Sequence, residues 1–361
     1  MKKYSQIIPS CTVFFTLLYF ISCASPKHES APRDQELPAF LYYKKSLSAI
    51  ENQNYHRALS LLDTAIALKP EVSQFYYAKG QIFEFTGENL FALKSYETAL
   101  KYKSHFPDCW KKLAVLYMEF RQPDKAAQML RYLTEDQPDS LQFELLLADA
   151  YLADHKPLLS FERLNYYDKK GGSSEETFRI RGLTYYQQGN YPEAIKYLDP
   201  YVKKKSDNYE AQKYLGIACL KANLPEKGIT HLNQALRMDP EDAELYIYRA
   251  RYFLSMNKVE TAIEQFSLAL KMDDKNSMVL LEVSKFSLNQ GDTTRAETLL
   301  QKALTEDKNC WECYKFLGII AESRNRPDEA YDYLQKYISN IYFRDLEVEK
   351  LLEKLDYLRQ N

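Results

Sequence analysis

The stretch Tyr209–Asn276 decides the fold. Set out in two lines of 34, it reads YEAQKYLGIACLKANLPEKGITHLNQALRMDPED (Tyr209–Asp242) and AELYIYRARYFLSMNKVETAIEQFSLALKMDDKN (Ala243–Asn276). The eighth place is small in both copies, Gly216 and Ala250. So is the twentieth, Gly228 and Ala262. The twenty-fourth is large, Leu232 and Phe266. Small residues at two such places let two helices approach to about 8–10 Å, and the large ones fill the space around the contact. Asn223 and Asn257 hold the fifteenth place, and asparagine accepts the left-handed conformation that closes a helix. Each copy therefore reads as helix, tight turn, helix, linker.

The same frame extends in both directions. Nine blocks, starting at Ala39, Ser73, Pro107, Leu141, Glu175, Tyr209, Ala243, Ser277 and Trp311, tile residues 39–344 without an insertion or deletion. Place 8 is Gly, Ala or Ser in all nine, from Ser46 and Gly80 to Gly318, and so is place 20, from Ala58 to Ala330. Place 24 is always large, and place 15 is Gly or Asn in six blocks, with Gln53, Arg121 and His155 in the others. Pro123, Pro157, Pro225 and Pro327 stand at place 17, where a helix begins and a missing N–H costs little.

This pattern resembles the tetratricopeptide repeat (TPR) family, whose period is also 34. The resemblance implies an all-α solenoid of nine helix-turn-helix repeats. Two places depart from the family pattern. Place 27, where the family prefers alanine, holds Leu133, Tyr167, Tyr201 and Tyr337, and such units are expected to splay or pack differently. Place 4 is bulky except at Glu144 and Gln212. Gly171-Gly172-Ser173-Ser174 contains the only Gly-Gly of the chain and marks an expected bend. Residues 345–361 carry one apolar stripe, Val348, Leu351, Leu352, Leu355 and Leu358, and read as a helix capping the last repeat.

The start of the chain is an address. Met1-Lys2-Lys3 precedes an apolar run from Thr12 to Ile21 that is too short to span a bilayer, which is signal-peptide logic. Phe20-Ile21-Ser22-Cys23 resembles the lipobox of bacterial lipoproteins, with Phe20 where leucine is usual. That resemblance implies cleavage after residue 22 and lipid on Cys23, enough acyl chains for stable anchoring. Residues 23–38 then form a Pro-containing tether poor in large apolar side chains. The expected location is the periplasmic side of a bacterial envelope membrane, with the outer membrane favoured.

Composition excludes more chemistry than it suggests. Ten glycines against 30 tyrosines argue against Gly-rich nucleotide-binding loops. Lys+Arg 48 against Asp+Glu 50 gives −2, and loss of Lys2 and Lys3 takes it to −4, so no global field recruits nucleic acid. Neither GxGxxG, GxxxxGK, HExxH nor GxSxG occurs. No enzyme, cofactor or metal site is expected. Cys310-Trp311-Glu312-Cys313 is the one suggestive pair; it reads as a local disulfide or as two free thiols, with redox or metal chemistry as the rival. A glycan-binding role for the tyrosines is the other rival, although Tyr96, Tyr117, Tyr151 and Tyr185 fall at packing places 11 and 24.

The family resemblance also implies a concave groove lined by places 2, 5, 9, 12 and 13 of the first helices. In this chain those places offer Phe40, Tyr43, Leu47, Tyr77 and Phe85 early, then Lys111, Arg179, Lys213, Arg251, Lys285 and Lys315. An aromatic end grading into basic side chains suits an extended peptide with an anionic segment. Place 9 contains no asparagine, so the family's clamp for a C-terminal carboxylate is not expected. The sequence thus reads as a non-enzymatic scaffold that binds a protein or extended peptide, in envelope assembly, secretion or a pilus-type system.

Overall fold

The structure, a computed structural model, describes residues 36–360. The leader assigned to residues 1–22, Cys23 and the tether as far as Gln35 lie outside the described residues. These described residues divide into two compact units, one ending at Tyr197 and the other starting at Leu198.

The first unit holds four helix pairs and the start of a fifth. They are α1 (Glu36–Glu51) with α2 (Tyr55–Leu68), α3 (Ser73–Phe85) with α4 (Asn89–Tyr102), α5 (Pro107–Glu119) with α6 (Pro123–Asp136), and α7 (Leu141–Ala153) with α8 (Pro157–Lys169), followed by α9 (Glu176–Gln187). Helix α10 (Tyr191–Lys204) carries the boundary between the units. The second unit contains α11 (Tyr209–Lys221) with α12 (Pro225–Met238), α13 (Ala243–Ser255) with α14 (Val259–Met272), α15 (Ser277–Asn289) with α16 (Thr293–Glu306), and α17 (Trp311–Ser323) with α18 (Pro327–Ile338). The last helix described is α19 (Leu346–Gln360). Within each unit every second helix also packs on the next first helix, α2 on α3 and α12 on α13, for example. Helix α1 starts three residues before Ala39, so Glu36–Pro38 belong to its first turn rather than to a tether; a proline there sacrifices no helical hydrogen bond.

The repeated columns have direct structural causes. A Cβ built on Gly80 would lie 2.6 Å from the Tyr96 ring, one on Gly216 2.8 Å from Leu232, and one on Gly318 2.6 Å from Leu334. Place 8 is small because the place-24 side chain of the partner helix lies on it. Place 15 is more demanding than its composition suggests. All nine residues there have positive φ, from 54° at Arg121 and His155 to 81° at Gly291. Gln53, Arg121 and His155 adopt the left-handed turn without the freedom of glycine.

The departures from the pattern resolve into local solutions. Leu133, Tyr167, Tyr201 and Tyr337 at place 27 are buried. Gly318 and Leu334 remain as close in the block of Tyr337 as Gly80 and Tyr96 do in a regular block, so this block does not splay. The tyrosines instead reach the following linker. The Tyr337 hydroxyl donates to Asp345 at 3.0 Å, and Tyr201 receives the amide of Asn208 at 3.4 Å. Tyr167 lies over Gly172, where a Cβ would fall 2.3 Å from its ring.

The two polar residues at place 4 are each answered at place 23 of the facing helix. Buried Glu144 receives Arg163 at 3.5 Å, and buried Gln212 pairs with His231 at 2.8 Å. In two other blocks the same places hold facing rings, Phe178 with Tyr197 and Tyr314 with Tyr333, each pair at 6.2 Å.

Helix α19 follows the repeat register further than its sequence suggests. Val348, Leu352 and Leu355 occupy places 4, 8 and 11 and are buried with Ala321, Ala330, Leu334 and Tyr337. Leucine instead of a small residue at place 8 leaves no seat for a place-24 side chain.

Candidate functional site

The first helices of each unit stand beside one another and present the face assigned to places 2, 5, 9, 12 and 13. In the first unit its start is aromatic. Phe40 meets Phe75 edge-on at 5.5 Å between ring centres, and Tyr43 lies 5.1 Å from Phe75. Tyr77 sits between Tyr96 at 5.4 Å and Phe106 at 4.9 Å. Burial raises the hydroxyl pKa of Tyr43 and of Tyr77, so both stay neutral. Phe85 does not join this group. Eight residues of helix place it ~12 Å along the axis from Tyr77, and it stacks on Tyr55 at 5.9 Å instead. Phe85 is 64% exposed, and Val115 at place 9 is 50% exposed.

The basic side chains are arranged differently from the expectation of an anionic groove. Lys111 lies 3.7 Å from Asp108 and 5.6 Å above the Phe143 ring. Arg179 is buried, with Asp149 of the preceding block and Glu176 each at 2.8 Å. In the second unit Lys213 lies 2.7 Å from Asp242 and 2.6 Å from Glu244. Burial alone would lower the Lys213 pKa, but the two carboxylates override it and hold the ammonium charged. Arg251 pairs with Glu282. Lys285 bridges Glu282 at 3.2 Å and Glu312 at 3.3 Å. Lys315 reaches Asp345 at 2.6 Å. Within each unit these contacts mostly join one repeat to its neighbour. An anionic ligand would have to displace carboxylates already in place, so the expectation of an anionic partner segment is corrected.

Comparison with known proteins places this architecture. Family models described as tetratricopeptide repeat match residues 92–153 and 185–250, and residues 43–101 and 288–341. The chain belongs to the tetratricopeptide repeat family. Among curated proteins, a TPR repeat-containing protein of Methanocaldococcus jannaschii is 27% identical over 165 residues, covering 43% of this chain and 29% of that protein. The chain therefore spans less than a third of that relative's length. Among solved structures, a human IFIT1 dimer with m7Gppp-AAAA superposes with TM-score 0.59 at 16% identity over 92% of this chain and 88% of that one. The Cut9–Hcn1 hetero-tetramer of APC/C gives 0.53 at 13% identity over 91% and 79%. A TPR protein from Parabacteroides merdae gives 0.50 at 16% identity over 67% and 96%. At these identities the likeness concerns the fold alone; it is membership of the TPR family that makes this chain a scaffold for protein partners.

Among the described residues the four cysteines are either paired or buried. Cys310 and Cys313 are joined as a disulfide at the start of α17, with Cα atoms 5.4 Å apart. Cys310 is the N-cap of that helix and makes no side-chain cap bond; Asn208, Asp242 and Asn276 cap the three preceding first helices through side-chain oxygens. Cys109 and Cys219 are buried, and burial pushes their thiols up to about 12 and about 11. Neither offers a thiolate at neutral pH.

Sequence reasoning passed over the exposed apolar side chain at Val115. Leu47, Arg251 and Lys285 of the same place-9 column are among the expected groove residues, and a valine at that inward place is a signal of the same kind.

Proposed function

We propose that this TPR chain is a lipid-anchored, non-enzymatic adaptor on the periplasmic side of a bacterial envelope membrane. It holds an extended segment of a protein partner against the first-helix face of its first unit. One observation carries this reading. The basic side chains of the first-helix faces are paired with carboxylates of their own unit, Arg179 in the first unit and Lys213, Arg251 and Lys315 in the second, while Phe85 and Val115 at inward places of the first unit are 64% and 50% exposed. Recognition then rests on apolar side chains, with main-chain and polar contacts around them. Nucleic acid is not the partner in this reading, because those cations are already paired. Outer-membrane placement and a role in envelope assembly, secretion or a pilus-type system belong to the same proposal.

The double variant Phe85→Asp, Val115→Asp tests it. Both positions are exposed, so folding stability should change by about 0.5 kcal/mol at Val115 and by about 1–2 kcal/mol at Phe85, which gives up its stack on Tyr55. Capture of the partner in cells should fall at least ten-fold. Unchanged capture by a normally folded variant would refute the assignment. Cys23→Ala tests the anchor separately and should release the protein from the membrane fraction.

A further inference from the structure

Among the described residues nothing covers one face of α1, and that face points to a second surface on this chain. In later repeats places 3 and 7 of a first helix meet the preceding second helix. Phe75 at place 3 is buried in the cluster with Ala58, Leu62 and Ala65 of α2, and Lys79 at place 7 pairs with Asp63 of α2 at 2.7 Å. At place 3, Cys109, Phe143, Leu245, Val279 and Cys313 are all buried. Helix α1 has no described helix before it. Its place-3 residue, Leu41, is 52% exposed, and Lys44 and Lys45 beside it are exposed and carry no ion pair among the described residues. Pro38, Phe40, Leu41 and Lys44 line an open depression of about 450 Å³.

We propose that this face rests on the anionic lipid surface that holds Cys23, an inference that depends on the anchor proposed above. Three arguments select this occupant. Twelve residues, 24–35, lie between Cys23 and Glu36, a span of at most about 45 Å. The face is therefore kept near the membrane. Residues 24–35 (ASPKHESAPRDQ) contain no large apolar side chain with which to cover Leu41. A second copy docked face to face would set Lys44 and Lys45 against their own counterparts, which like charges oppose. An anionic headgroup layer takes the two ammonium groups while Leu41 enters the acyl boundary, the arrangement of an interfacial amphipathic helix.

The experiment uses the full lipidated chain in phosphatidylethanolamine/phosphatidylglycerol vesicles with brominated acyl chains. Leu41→Trp supplies a reporter, and the parent chain gives the background of Trp110 and Trp311. The Leu41→Trp variant is expected to show added quenching and a blue shift. Lys44→Glu with Lys45→Glu should reduce occupancy of the surface on the order of 25-fold, about five-fold per lysine before charge reversal is counted. If the chain floats with vesicles yet Leu41→Trp emits as in buffer, the face is turned to a partner or to solvent and this inference is overturned. If parent and Cys23→Ala chains both fail to float, the anchor reading falls and this inference falls with it.

Discussion

Gly216 lies at a tight contact between α11 and α12, and one methyl group there tests the packing logic of every block. An alanine Cβ would stand 2.8 Å from Leu232 Cδ2, 2.9 Å from Cγ and 3.0 Å from the Leu232 backbone nitrogen. Ordinary contact begins at 3.4 Å, so the two helices must separate by about half an ångström. The leucine side chain can rotate, but the backbone nitrogen cannot. Overpacking of this kind costs about 1–3 kcal/mol, and the rigid contact favours the upper part of that range. Alanine's better helix propensity returns ~1 kcal/mol. The net expected loss for Gly216→Ala is about 1–2 kcal/mol, or roughly 2–8 °C in a cooperative unit of this size. Guanidinium denaturation followed by circular dichroism measures it. Leu232→Ala alone should cost about 2–5 kcal/mol. In that background the Gly216→Ala cost should shrink by 1 kcal/mol or more, since the two sites share the contact. A Gly216→Ala chain more stable than its parent, or strict additivity in the cycle, would show that propensity rather than close approach governs place 8.

Three further outcomes follow from the same structure. Arg121→Gly should stabilise by about 0.5–1 kcal/mol in thermal unfolding, because φ is 54° there and left-handed strain slightly exceeds the added entropy of an unfolded glycine; Gly291→Val, at φ 81°, should destabilise. A hydrogen bond from Lys315, backed by the Val348 N–H and Tyr337, holds the Asp345 carboxyl below its ordinary 3.8. Its contribution is thus complete above about pH 4 and lost as pH falls through the lowered value, so hydrogen-exchange protection factors at α19, taken against the intrinsic rate at each pH, should fall in acid, whereas Asp345→Asn should weaken α19 by about 1–3 kcal/mol already at pH 7. Reduction of the Cys310–Cys313 disulfide should lower the stability of the last repeat by ~2 kcal/mol, given its short loop; a loss of binding at unchanged stability would instead support a redox role.

The repeat was legible because its causes are local and recur. Place 8 is small wherever place 24 lies on it, and nine copies make that column visible. The same columns concealed the left-handed turns at Gln53, Arg121 and His155, whose side chains do not announce positive φ. The pairs Glu144 with Arg163 and Gln212 with His231 were missed because two departures, 19 residues apart in sequence, compensate each other only across a helix pair. Capping by Asn208, Asp242 and Asn276 at place 34 was readable but went unread. The basic column failed for a related reason. Counting cations along one face ignores acids that the block's own linker and the next repeat bring beside them, as Asp242 and Glu244 do for Lys213. Position on a face follows from periodicity, whereas availability on it depends on neighbours.

Site-specific photo-crosslinking in cells tests the central claim most directly. A photoreactive residue at Phe85 or Val115 on the first-helix face is compared with one at exposed Ser60 on α2. The account predicts one common partner captured at the two inward positions and absent at Ser60. Capture that is equal at all three, or confined to Ser60, would contradict it.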